Sequence, residues 1–337
     1  MATGLVIGKF YPPHQGHKSV IDTAINTVNR VYVIVCERDG DKPSGSLRAK
    51  WIEEWYKDNK NVHVILIKNV YDDNDTELWA SLCKTWLGFT PDYVFTSEFY
   101  GEPFAKCLGC KHVSVDLYRR KIPISGTMIR NNPSKYLDYL EPNVKAFYVP
   151  RIVLVGAEST GKTTLAKRLT EHYKGRTIWV PEYARILCEE KLKDNFNSNS
   201  VPTFHWTTEE FIEIANGQKR TELEAAMKDG VEIVICDTDV FAASIWHERY
   251  LGFVSDKIEE MAKDYENEVH RQIYLLTDNN VPFVQDGYRD GENIRDWMFS
   301  RFLEKLTSEN KKFDLLIGSY DDRFNQALKA IDSVLKN

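Results

Sequence analysis

The chain has 337 residues, 42% of them hydrophobic and 28% charged, with a formal net charge of −6. That length exceeds one small core and predicts two domains, while the interspersed charge excludes a basic nucleic-acid-binding face or tail. No run approaches the ~18 apolar residues of a membrane span and "MATGLVIGKF" lacks a signal-peptide core, so a cytoplasmic protein with no membrane or nucleic-acid partner is expected.

The first half alternates short apolar runs with amphipathic stretches. "LVIGKF" reads as a strand that enters the turn "GKFYPPHQGH" and then the helical pattern "HKSVIDTAINTVN". "VYVIVC", "VHVILI", "YVFTS" and "HVSVD" follow as strands, separated by helical segments such as "LRAKWIEEWYKDN" and "ELWASLCKTWL". This alternation predicts a doubly wound parallel sheet, whose ligands gather at strand ends. His14 and His17, three residues apart in the first turn, fit phosphate contact better than zinc, which would need two further ligands that the neighbourhood does not supply. Gly8 allows close approach of a nucleotide to the backbone. Cys107 and Cys110 in "CLGC" have the spacing of half a zinc site, but no second pair accompanies them, so ordinary reduced thiols are expected. Near the end of this half, "ISGTMIR" sets Ser125 and Thr127 at a helix start and Arg130 one turn on, a cap with a bidentate cation beside it.

"EPNVKAFYVP" separates the halves and predicts domains over 1–148 and 149–337. The second half opens with the strand "RIVLVG" and continues through "TIWVPE", "EIVICDTD", "RQIYLLT" and "FDLLIG", a second doubly wound α/β sheet. "GAESTGKTT" matches G-x-x-x-x-G-K-[ST] between a strand and a helix. In such a loop the backbone N–H groups of Gly156, Glu158, Ser159, Thr160, Gly161 and Thr164 cradle phosphates, Lys162 reaches the outer ones, and Thr163 can hold magnesium. Asp237 and Asp239 at a strand end are candidates for the same ion, with Asp237 preferred. Glu182 and Arg185 in "WVPEYAR" stand where a small-molecule kinase positions an acceptor hydroxyl and its base. "VPFVQDGYRDGENIR" offers Arg289 and Arg295 on a lid, and "KDNFNSNSVPTFHWT" reads as a loop that closes over a ligand.

"GKFYPPHQGH" and "ISGTMIR" together resemble the two motifs of the nucleotidylyltransferase superfamily. By that resemblance the first half is a Rossmann-like domain in which Gly8, Lys9, Phe10, His14, His17, Ser125, Thr127 and Arg130 bind ATP. His14 and His17 then stabilise the phosphates at the transition state and Arg130 holds the leaving pyrophosphate. Followed by a P-loop kinase domain, and with "TSEFYGEPFAKCLG", "VPEYAR", "DTD" and "VQDGYRDGE" between the motifs, the chain looks like the NadR family. The resemblance implies a kinase that turns nicotinamide riboside into the mononucleotide and a transferase that turns the mononucleotide into NAD, with ATP and Mg2+ at work and a homo-oligomer allowed. It further implies Trp79 as a stacking partner for the nicotinamide ring, with Tyr183 and Trp246 as candidates in the kinase half and Glu182 as its base, a role Asp237 could share. Some family members carry an N-terminal helix-turn-helix; here the first motif starts at Gly8, so direct transcriptional control is not expected. The competing readings are a transferase and kinase for other substrates, and a nucleotide sensor without turnover.

Overall fold

Residues 1–194, 205–284 and 291–335 of this computed structural model are described below, and they contain ten strands in two parallel five-stranded sheets. The sheets lie in separate compact units, residues 1–144 and 145–337.

In the first unit β1 (Thr3–Gly8), β2 (Arg30–Glu37), β3 (Val62–Lys68), β4 (Tyr93–Thr96) and β5 (Lys111–Ser114) run in the order β3-β2-β1-β4-β5. Successive side chains of β1 point to opposite faces, and both faces are covered. Leu5 packs with Trp79, Phe104 and Leu108, while Val6 packs with Val20, Ile21, Ile52 and Phe95. Burial on both sides explains why the strand reads as a continuous apolar run. From β1 the chain turns toward β2, and from β4 it turns toward β5, so the loops leaving these two neighbours diverge. The crevice that opens at their carboxyl ends is the place where such sheets bind ligands.

The second unit repeats the logic in another order. Its strands β6 (Arg151–Val155), β7 (Thr177–Val180), β8 (Ile233–Asp237), β9 (Gln272–Thr277) and β10 (Phe313–Leu316) lie as β10-β9-β6-β8-β7. Every residue of β6 is buried, with Ile152 and Leu154 set against Leu165 and Leu169 of the following helix and Ile331 of the last one. The chain leaves β6 for the edge strand β7, returns to β8, and crosses β6 to reach β9, so the loops after β6 and β8 part beside each other. The helix Thr208–Met227 begins with a reciprocal cap between Thr207 and Glu210 and flanks this end of the sheet. The expected pair of doubly wound α/β sheets is therefore the observed fold, and all ten apolar runs form its strands. Among the described residues no helix is long and apolar enough to cross a membrane.

Candidate functional site

Each unit has a cleft at the divergence of its loops. That of the first, about 730 Å3, is lined by Gly8, Lys9, Phe10, His14, His17, Trp79, Ser125, Thr127 and Arg130, which gathers the two motifs from opposite ends of the unit. His14 is the N-cap of the helix Gln15–Thr27, its Nδ1 accepting from the Gly16 N–H at 3.1 Å. The neutral ring therefore carries its proton on Nε2. The His17 ring lies 3.8 Å from it, centroid to centroid, and His17 Nδ1 is buried with no hydrogen-bond partner among the described residues. Burial, aided by the Arg119 charge, pushes His14 down to about 3, and burial with the adjoining His14 and Arg119 holds His17 well below the usual histidine range. Both rings are neutral at pH 7, and His14, with its Nδ1 taken by Gly16, keeps its Nε2–H as a donor.

Arg130 ties the motifs together. One Nη donates to the Tyr11 carbonyl and the other to Thr127 Oγ1 at 3.1 Å, with its guanidinium 4.6 Å above the Tyr11 ring. Ser125 Oγ caps its helix by accepting from Met128 N–H. Gly126 is required by this approach, since a Cβ there would overlap the Tyr11 carbonyl oxygen. A second cation near the Tyr11 ring is Arg48, fully buried 5.0 Å from its centroid, which donates to the Lys9 carbonyl and to Asp41 at 2.6 Å. Sequence reading missed Arg48 and Arg119, because a cation inside a helical stretch or a basic link carries no sign of what it will face. Lys9 and Arg38 both pair with Asp73, at 2.6 and 2.9 Å. Trp79 is both core and cleft wall: it packs among Leu5, Phe104 and Leu108, is 8% exposed, and spends its indole N–H on the Asp72 carbonyl at 2.8 Å.

The second cleft, about 140 Å3, is lined by the loop residues Glu158–Thr164 together with Glu182, Arg185, Trp206, Trp246 and Tyr250. Gly156 adopts φ +136° and could carry no Cβ without striking Thr277, so the loop folds tightly over β9. Lys162 Nζ donates to the carbonyls of Gly156 and Ala157 at 3.0 and 2.7 Å. Thr163 Oγ1 donates to Asp237 Oδ2 at 2.5 Å, the juxtaposition expected of a hydroxyl and carboxylate that share a hard cation. Asp239 instead points inward, capping the helix Val240–Leu251 and accepting from Gln272 and Tyr274. Glu182 is partly buried; burial, then the Asp237 charge, pushes its carboxyl up to about 7 against the opposing pull of Lys162 and Arg185. Burial also raises Asp237, with Lys162 and Thr163 acting against it.

Trp246 and Tyr250 stack at 6.5 Å on one wall, with the Arg249 guanidinium over both rings. Arg249, unforeseen from the sequence, forms a largely buried pair with Glu158 at 2.6 Å, and Glu158 also accepts from Gly291 N–H. Tyr183 lies apart from the cleft lining, its ring against Gly217. Arg295 holds the carbonyls of Val281 and Asn279 rather than facing the cleft. Arg289 and most of the "KDNFNSNSVPTFHWT" loop fall outside the described residues.

A family profile described as an AAA domain matches residues 151–323. Among curated proteins the chain is similar to the trifunctional NAD biosynthesis/regulator protein NadR of Salmonella typhimurium, 25% identical with 98% of this chain and 83% of the relative covered. The protein of that name in Escherichia coli gives the same 25%, 98% and 83%. Of solved structures, a crystal structure of NadR protein in complex with NR superposes with a TM-score of 0.70 at 19% identity, covering 100% of this chain and 96% of that one. A second, in complex with NAD and AMP-PNP, gives 0.67 at 18% identity with the same 100% and 96% coverage. These two superpositions carry the fold.

Proposed function

Because the chain belongs to the AAA domain family through residues 151–323 and is homologous to NadR along nearly its whole length, we propose that it is a bifunctional enzyme of NAD biosynthesis. The second unit phosphorylates nicotinamide riboside with ATP, and the first joins the resulting mononucleotide to a second ATP, releasing pyrophosphate. The observation that carries this reading is that each cleft gathers phosphate-handling residues distant in sequence: His14, His17 and Arg130 line one, and Lys162, Thr163 and Glu182 line the other, with Asp237 joined to it through Thr163.

In the second cleft the phosphate loop and Lys162 hold the triphosphate. Glu182, ionised on the alkaline side of about 7, takes the proton from the riboside hydroxyl as its oxygen attacks the γ-phosphorus, and ADP leaves. Thr163 and Asp237 are hard oxygen donors suited to Mg2+, which supplies charge neutralisation at the phosphates when bound. The stacked Trp246 and Tyr250 offer a flat wall to the base.

In the first cleft the mononucleotide phosphate attacks the α-phosphorus of ATP directly. His14 donates from Nε2–H to the phosphoryl oxygens, and Arg130 neutralises the charge that gathers on the departing pyrophosphate. With the Trp79 N–H already committed to Asp72, only its ring is left to meet the pyridinium, an apolar and cation–π contact.

The test is to incubate the purified chain with Mg2+, ATP and nicotinamide riboside and follow mononucleotide and NAD by chromatography, beside Lys162→Ala and His17→Ala. The reading requires that wild type form NAD, that Lys162→Ala form it only from supplied mononucleotide, and that His17→Ala accumulate mononucleotide. Untouched riboside in the wild-type reaction would refute the kinase assignment.

A further inference from the structure

Glu182, after β7, lines the second cleft, and Asp237, at the end of β8, joins it through Thr163; parallel pairing between these strands stops at Val180 and Cys236. A side chain from the helix Thr208–Met227 spans them beyond that point. Gln218, 1% exposed, accepts at Oε1 from the backbone N–H of Tyr183 at 2.9 Å and donates from Nε2 to the carbonyl of Thr238 at 3.2 Å. Tyr183 follows Glu182, and Thr238 follows Asp237. The same Nε2 donates to Glu222 Oε1 at 3.0 Å, one helical turn on, and Glu222 Oε2 accepts from the Tyr265 hydroxyl at 2.7 Å. These partners fix the amide: flipped, its NH2 would oppose the Tyr183 N–H and its oxygen would oppose two acceptors.

The backbone that Gln218 holds is strained. Thr238 has φ +74°, and its buried Oγ1 has no partner among the described residues. Both features cost free energy and persist only where the surroundings over-determine them. Gln218 holds the Thr238 carbonyl, and the Leu154 carbonyl holds its N–H at 3.0 Å. The twist so held sends successive carboxylates in opposite directions, Asp237 toward Thr163 and Asp239 into the helix cap.

We infer that Gln218 is a positioning residue, fixing Glu182 and Asp237 at one separation through the Tyr183 amide and the Thr238 carbonyl. The inference rests on the phosphoryl-transfer reading of this cleft. Gln218 does not line the cleft, so it acts only through the two backbone segments.

The test is Gln218→Met in the full chain, which keeps the side chain's length and deletes all three bonds. The kcat for riboside phosphorylation falls about 10–100-fold, as loss of a supporting hydrogen-bond shell typically costs. The KM values for ATP and riboside stay within about twofold, because the groups that bind them are untouched. The Mg2+ concentration for half-maximal rate rises. Adenylyl transfer from supplied mononucleotide is unchanged, and a far-UV circular dichroism spectrum like wild type reports that the second unit is folded. A lower Tm with wild-type kcat and Mg2+ requirement would overturn the inference. If Gln218→Met does not fold, Gln218→Glu decides: it keeps the acceptor for Tyr183 and loses the donor for Thr238, so the Mg2+ requirement rises, and an unchanged requirement overturns the idea. A readout independent of the acceptor is Mn2+ affinity with a non-hydrolysable ATP analogue, using Lys162→Ala as background. It weakens about tenfold in Gln218→Met. Wild type that binds Mn2+ and analogue but phosphorylates no riboside sinks the substrate reading alone; equal Mn2+ affinity in wild type and variant sinks the positioning role.

Discussion

His14 and His17 are neutral cations-in-waiting, and their burial has a measurable consequence. Below about 6.5 the unfolded chain takes up a proton at His14 that the folded chain refuses until about 3. The folded state therefore loses stability as pH falls through that window, because the unfolded state binds more protons there. His14→Asn keeps an N-cap side chain and removes the titration, so the decline in Tm from pH 6.5 to 4 becomes shallower in a thermal scan. As the proposed base, Glu182 runs the other way on activity: its carboxyl, raised to about 7, must lose its proton to act. Phosphorylation kcat/KM of wild type accordingly drops tenfold per unit on the acid side of that value, and Glu182→Gln lowers it at least ~100-fold with that limb abolished. The histidines, the phosphate loop and Arg130 were legible because their spacing is itself the signal. Arg48, Arg249 and Gln218 were not, since each acts on residues far away in sequence that only the folded chain brings near.

Strands and helices were the most readable level. Runs such as "VYVIVC" and "RIVLVG" are apolar throughout because helices cover both faces of a parallel sheet, and no alternation is needed. Strand order was hidden: β1 pairs with β4 across more than eighty intervening residues, and nothing local in either strand names the other. Element placement also sets the tolerance of the first cleft. The short helix Gly126–Asn131 touches the Tyr11 carbonyl through Gly126 and through Arg130. Gly126→Ala pushes that helix outward; adenylyl transfer falls about 100-fold, as for a ~1 Å misplacement of a reacting group. Phosphorylation of riboside by the same variant remains at the wild-type rate, and the comparison of the two assays checks it.

For the whole molecule, the proposed assignment of one step to each unit predicts that the mononucleotide made by one chain can be used by another. A mixture of His17→Ala and Lys162→Ala chains therefore converts riboside to NAD, although neither does so alone, and the rate rises as mononucleotide accumulates. Chromatography of the mixture over time tests this; no NAD at saturating mononucleotide would contradict it. The fully parallel pairing of both sheets bears on how the chain is made. Every pairing must be closed over a crossover, with contacts between distant residues, which slows folding. Residues 1–144 leave the ribosome first, and translating the remainder at ~5–20 residues per second allows them about 10–40 s. The unit to which we assign adenylyl transfer thus has a head start in acquiring its structure, and a nascent chain arrested after it is predicted to bind ATP before the second unit exists.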